Sequence, residues 1–403
     1  MSIGAVREKP PPLFKRNFST LLVAQASFGY AFSSFFMLPK FLVTELAAGP
    51  GDVGLVAAAY STATIICIPA MGVLVDHFGR SRFMTAGALL MATLCLAFTR
   101  VADLGPLIFA LRAGQGVAFA MVFVGGATIA VDEAPAERVG QAIALFGLAM
   151  LAMNGVAAAG VEAIASSAGW PWAFVAAAAA SSVCAVLSLS LRDRAVDAAP
   201  AKPRSLWQVI QRPELVRLMV VIGMVGAAMS TVVTFHQPFA ISLGIDTVSG
   251  FFVAYAAAAM IVRAGLGHYI DRAGRARVAI ASLCLYAVDV AAMAWMSGPA
   301  GLVVLGVGLG AAHGFAYPSL NSLAIGGVRA NERGKVMAVF QGAFHVGFAG
   351  AAMGFGVLAE HSGYVPVFYG GGICALVGVL VMVTARARGA TDVLGGDGVA
   401  ESS

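Results

Sequence analysis

The chain has 403 residues, of which 60% are hydrophobic and 11% charged, and its formal net charge is +5. Soluble globular proteins carry about 25% charged residues, so this composition excludes an ordinary soluble fold and a disordered chain and points to a protein that crosses a membrane many times. The 48 glycines fit that reading, because helices in lipid pack closely through small residues.

A spanning helix needs about 20 mostly apolar residues. The chain opens with a basic, Pro-rich tail over residues 1–17, and the apolar run behind it is too long for a signal-peptide core. Twelve apolar stretches follow, at 18–43, 52–75, 83–100, 104–131, 140–163, 170–191, 215–241, 248–270, 278–296, 300–327, 335–359 and 364–385. Residues 192–214, rich in Pro and charge, read as a linker between an N-terminal bundle (18–191) and a C-terminal bundle (215–385), and 386–403 form a second tail. The expected class is an all-α membrane protein with twelve transmembrane helices in two pseudo-symmetric six-helix bundles.

Lys and Arg collect on one side of these stretches, among them Arg7, Lys9, Arg16, Arg80, Arg138, Arg192, Arg212, Arg275, Arg333 and Arg386. The other side has Lys40 and Arg100. The positive-inside rule therefore places both termini, the linker and the basic turns in the cytoplasm. Topology and contact with the lipid bilayer account for the positive charge, and no nucleic-acid partner is needed.

The halves repeat one another. DHFGRSR (76–82) returns as DRAGRAR (271–277), 195 residues on, and YSTATIICIPAMGVLVDHFGRSR aligns without gaps on YAAAAMIVRAGLGHYIDRAGRAR. AGQGVAFA (113–120) meets AAHGFAYP (311–318). Parallel halves with a solute site between them form a transporter architecture. GVLVDHFGR (72–80), its echo GHYIDRAGR (267–275) and LRAGQGVAFA (111–120) resemble motifs of the major facilitator superfamily, and the resemblance covers essentially the whole chain.

Gly72 and Gly267 invite close helix approach, and Gly79 and Gly274 suit a turn needing positive φ. The resemblance implies that Asp76, Arg80, Asp271 and Arg275 form a cytoplasmic latch for an outward-facing state, with Glu137, Arg138 and the matching Glu332 and Arg333 as natural partners. It also makes Arg112 the signature Arg of the fourth helix, tied to proton coupling. Arg263, whose repeat partner is Ile68, looks like the eighth-helix Arg that binds a carboxylate in monocarboxylate and oxalate carriers; Arg suits bidentate carboxylate recognition.

An ionisable group in hydrocarbon costs roughly 3 kcal/mol or more, so each is a functional candidate. His313 and Tyr317 share a face of the tenth helix, Gln341 and His345 a face of the eleventh. With Gln25, Phe32, Arg112, Gln115, Asn154, Gln237, Tyr255 and Arg263 they are the candidate cavity residues. Arg112, Asp289, His313 and His345 are the coupling candidates, since His titrates near neutral pH.

The five cysteines fall in apolar runs without a CxxC pair, and the 17 methionines read as packing. No metal site or cofactor is expected. With no P-loop and no HExxH, neither ATP-driven transport nor catalysis is expected. The leading expectation is a monomeric, proton-coupled exporter of a small organic solute, resembling the efflux-permease branch of the superfamily, in a bacterial inner membrane. The alternative is an organic-anion carrier built on Arg263. A soft-metal transporter and a non-transporting membrane sensor rank below both.

Overall fold

The computed structural model describes residues 13–135, 138–193, 211–326, 328 and 332–387. Every element among them is helical: α1 (Arg16–Ser34), a 3₁₀ turn (Phe35–Met37), α2 (Leu38–Leu46), α3 (Pro50–Phe78), α4 (Arg80–Phe98), α5 (Pro106–Glu133), α6 (Val139–Ala168), α7 (Trp170–Leu189), α8 (Pro213–Ser242), α9 (Ser249–Gly265), α10 (Gly267–Ala273), α11 (Arg275–Ala292), a second 3₁₀ turn (Met293–Trp295), α12 (Gly298–Ile325), α13 (Arg333–Ser362) and α14 (Val365–Ala387). Among the described residues, 11 helical segments are long and apolar enough to cross a membrane, α1 to α2 counting as one, and Ser249–Gly265 is a shorter twelfth. Basic residues gather where α1 starts and α3 ends; we call this the basic end, and its opposite the far end.

Two of the expected spans are broken. The first breaks because Pro39 lacks an N–H and its ring crowds the preceding turn, so α1 stops at Ser34 and α2 resumes at Leu38. In the eighth, the sequence predicts one continuous span over 248–270. Instead α9 ends at Gly265, Leu266 leaves helical geometry (φ −112°, ψ 6°), and α10 runs on for seven residues. Hydropathy continues through that break, so the apolar pattern did not reveal it. Pro238 lies inside α8, the counterpart of α1.

The halves meet along two lines, α3 against α13 and α6 against α9. Both lines are tight toward the far end. A Cβ on Gly54 would run into the Ala352 carbonyl, and one on Gly155 would sit 2.9 Å from Val253 Cα. Both lines open toward the basic end: around Gly72 on α3, Gly342 on α13, Gly140 and Gly147 on α6, and Gly265 on α9, a Cβ would find nothing within 4 Å. Gly267 is equally open. The close approach expected at Gly72 and Gly267 is therefore absent from this conformation, because the helices splay at that level. Gly79 (φ 84°) and Gly274 (φ 88°) turn the chain into α4 and α11 with the positive φ that glycine permits.

Candidate functional site: an aromatic cavity between the halves

A cavity of ≈ 220 Å³ lies between the halves. Eight of the twelve expected residues line it: Phe32, Arg112, Asn154, Tyr255, His313, Tyr317, Gln341 and His345. The structure adds Tyr60, Ser61, Phe119, Phe251 and Phe252, among others. Tyr60 and Phe119 were visible in the sequence only as repeat partners of Tyr255 and Tyr317.

On the first half, the rings of Phe32 and Phe119 lie 4.8 Å apart and Tyr60 stands 5.9 Å from each. On the second, His313 stacks on Tyr317 at 5.4 Å, with Tyr255 at 6.0 Å. His345 of α13 reaches across to the first set, 6.1 Å from Tyr60 and with Nδ1 3.4 Å from Ser61 Oγ. Tyr317 donates its hydroxyl to Gln341 Oε1, and Asn154 Oδ1 accepts from Ser33 of α1 at 2.8 Å.

Arg112 is the one Lys, Arg, Asp or Glu among the described lining residues. Its guanidinium lies 5.0 Å from the Tyr60 ring centre and 5.9 Å from that of Phe35, a cation–π arrangement. One N–H goes to Gln115 Oε1 at 2.8 Å, Nε is buried with no acceptor, and no carboxylate pairs with it among the described residues.

The other four expected lining residues stand outside the cavity wall. Gln115 sits behind Arg112 and orients it. Gln25 is buried within the first half, with Nε2 3.6 Å from Met150 Sδ. Arg263 lies over the Tyr317 ring at 5.8 Å, one layer out, its Nε without an acceptor. Gln237 has a structural task. The break in the first span separates the Phe36 carbonyl from the Lys40 N–H, the pair an unbroken helix would join. Gln237 of α8 joins them instead, donating Nε2 to Phe36 O at 2.6 Å and accepting from Lys40 N at 3.3 Å. Asp289 also lies away from the cavity: it fills the room left by the missing side chain of Gly308, and its Oδ2 is buried without a partner.

Two carboxylates that were not singled out seal the far end. Glu162 of α6 accepts the N–H groups of Val248 and Ser249, both at 3.0 Å, where α9 begins. Lys40 Nζ binds Glu162 at 2.6 Å and also reaches the Asp246 carbonyl. The second half reciprocates, for Glu360 of α13 accepts Gly51 N–H at 3.2 Å in the first turn of α3. Each cap sets a negative charge against the positive end of a helix in the opposite half. A lone acid at the end of an apolar helix, at the same place in both repeats, was the available signal.

At the basic end Arg80 pairs with Asp132 of α5, and Arg212 with Glu332 at 3.2 Å. Arg138 caps α6 and Arg275 opens α11. The side chains of Asp76 and Asp271, and all of Glu137, lie outside the described residues. The described basic-end pairs stay within one half; the described far-end caps cross between halves.

The Major Facilitator Superfamily model matches residues 20–352 and 266–398. The chain belongs to the major facilitator superfamily. Among solved structures, this superfamily member is similar to a variant of the nucleoside transporter NupG (TM-score 0.77, 13% identity, 92% of this chain and 99% of that one). It is also similar to the human organic anion transporter MFSD10, or TETRAN (TM-score 0.72, 15% identity, 92% and 100%), and to NupG itself (TM-score 0.73, 14% identity, 93% and 99%). At these identities the likeness is one of fold. Family and fold make the chain a multi-pass membrane transporter, a class defined by moving solutes and not by catalysis.

Proposed function

We propose that the chain is a secondary active transporter that carries a small organic solute by alternating access, exporting it in exchange for protons, with residues 18–191 and 215–385 rocking as two bodies. One observation carries this reading: a polar-studded cavity lies between the halves, closed at the far end by cross-half caps and splayed at the basic end. On the charge asymmetry the basic end is cytoplasmic, so this conformation accepts solute from inside. The solutes named for its structural neighbours, nucleosides and organic anions, fall in the small-organic class.

His313 and His345 supply titratable groups inside the cavity, as proton exchange requires. Asp289 faces Gly308 instead, which leaves it a lesser coupling candidate. The basic-end latch closes in the opposite conformation, when Gly72 and Gly342 gain neighbours. The test is solute counterflow and pH-gradient-driven uptake in proteoliposomes across a panel of neutral and anionic organic solutes. A proton gradient should drive at least one solute against its concentration. If no solute moves under any gradient, the reading fails.

The second reading, an organic-anion carrier, gains from the unpaired guanidinium in the cavity. The residue it rests on becomes Arg112, since Arg263 stands outside the wall.

A further inference from the structure

The cavity contains a cation that the protein leaves incomplete. A charged side chain in a water-poor, aromatic pocket is costly unless it is paired. Arg112 is held from behind by Gln115 and flanked by the rings of Tyr60 and Phe35. Nothing described on the opposite wall supplies a negative charge: Tyr255, His313, Tyr317, Gln341 and His345 offer hydroxyl, imidazole and amide groups. A guanidinium with free donors in a fixed plane matches a planar oxyanion bidentately.

The rest of the pocket selects the body of the ligand. Beside Arg112, Phe32, Tyr60 and Phe119 present ring faces and edges within 6 Å of one another. Aromatic surfaces of this kind favour stacked or edge-on aromatic partners over flexible chains. With one cation among the described lining residues, one negative charge on the ligand balances the site, and a second would be buried unpaired.

We infer that the cavity takes an aromatic organic monoanion, with its carboxylate on Arg112 and its ring among Phe32, Tyr60 and Phe119. This rests on the reading of the cavity as the transport site and names its substrate class. It also assigns Arg112 as the solute anchor, a role separate from proton coupling.

The test is direct binding to the purified full-length protein, by calorimetry, of 2-naphthoate, 2-naphthamide, decalin-2-carboxylate and naphthalene-2,6-dicarboxylate. Naphthoate should bind at least about tenfold more tightly than the neutral amide, since a charge-assisted hydrogen bond is lost with the carboxylate. It should also exceed the saturated acid and the dicarboxylate. Arg112→Gln should abolish the preference for acid over amide, Arg112→Lys should keep part of it, and Arg263→Gln should retain it.

Equal affinity for acid and amide in the native protein overturns the inference, and that comparison needs no variant to fold. A preference lost in Arg263→Gln and kept in Arg112→Gln overturns it and moves the anion to Arg263. Tighter binding of the dicarboxylate or the saturated acid overturns it too, as does no binding by any of the four. Binding as expected with no solute movement in vesicles would instead break the transport reading and leave this inference standing.

Discussion

The two halves are built on one plan and armed differently. Each sets a pair of aromatic residues toward the cavity from its second and fourth spans, Tyr60 and Phe119 in one, Tyr255 and Tyr317 in the other. Each carries a proline in its first span, Pro39 at the break between α1 and α2 and Pro238 inside a continuous α8, and each sends a carboxylate from its fifth span to the opposite half. The cations do not repeat. Arg112 stands where the second half has Gly310, whose missing side chain lets α12 lie against the Tyr255 carbonyl. Arg263 stands where the first half has Ile68, nearer the basic end. The repeat carries the architecture, and the departures from it carry the chemistry.

Removing each cation in turn is the sharpest way to break that comparison, and the expected effects are the largest. Arg112→Gln should lower transport of an aromatic monocarboxylate in proteoliposomes about 100-fold, the scale of a lost charged hydrogen-bond pair of about 3 kcal/mol. Arg263→Gln should change it by less than about threefold, because Arg263 stands outside the cavity wall, behind the Tyr317 ring. Equal losses would mean that the halves share the anion, and the asymmetry drawn above would be wrong.

A smaller effect separates the ends of the molecule. Leu at Gly54 or Gly155 must displace the second half where it is already in contact, and overpacking costs typically 1–3 kcal/mol. The penalty falls on the far-end-closed conformation. Leu at Gly72 or Gly342 meets open space here and penalises the opposite conformation, in which the basic end closes. A cysteine replacing Val56, a buried cavity residue, in a background without the native cysteines, reports the difference. Its labelling by an impermeant reagent from the far side should rise with Gly54→Leu and fall with Gly72→Leu. The same direction for both would sink the two-ended picture.

Much of this was legible in the sequence, for identifiable reasons. Spans follow from transfer energetics, so runs of apolar residues located them. The paired halves followed from spacing alone. Helical periodicity placed His313 with Tyr317 and Gln341 with His345 on cavity faces. It failed for Gln237 because a polar stripe says which way a side chain points and not what awaits it. The broken α1–α2 junction claims that amide, and only Pro39 hinted that a carbonyl there would need a partner. Arg263 was placed one layer too far in, since periodicity gives angle and not depth. Lys40 was visible as a far-side charge, but its pairing with Glu162 was not, because that pair runs between distant elements.

The two caps test whether the halves close with equal strength. Glu162 accepts two backbone N–H groups and a lysine with its side chain 12% exposed, whereas Glu360 accepts one N–H from an exposed position. Glu162→Gln removes a charge from a mostly desolvated helix end, worth about 1–2 kcal/mol. It should raise far-side labelling of the Val56 cysteine by roughly fivefold to thirtyfold. Glu360→Gln should change it by less than about threefold, because exposed charges are screened. If the two variants behave alike, the seal is symmetric and Lys40 contributes nothing.

The smallest expected difference lies in the cavity hydroxyls. Tyr317 donates to Gln341, so Tyr317→Phe leaves a carbonyl without its donor and should lower stability by about 1 kcal/mol. Tyr60 sits in the equivalent aromatic position of the other half with its hydroxyl buried and unpartnered. Tyr60→Phe removes an unsatisfied group, which is neutral or slightly stabilising. Thermal unfolding of the two variants in the same detergent decides the order. A Tyr60→Phe protein less stable than Tyr317→Phe would mean that the Tyr60 hydroxyl has a partner in solution. Repeating the measurement with 2-naphthoate bound would then show whether the ligand replaces that partner, since only a hydroxyl facing Arg112 and its anion would change its contribution on binding.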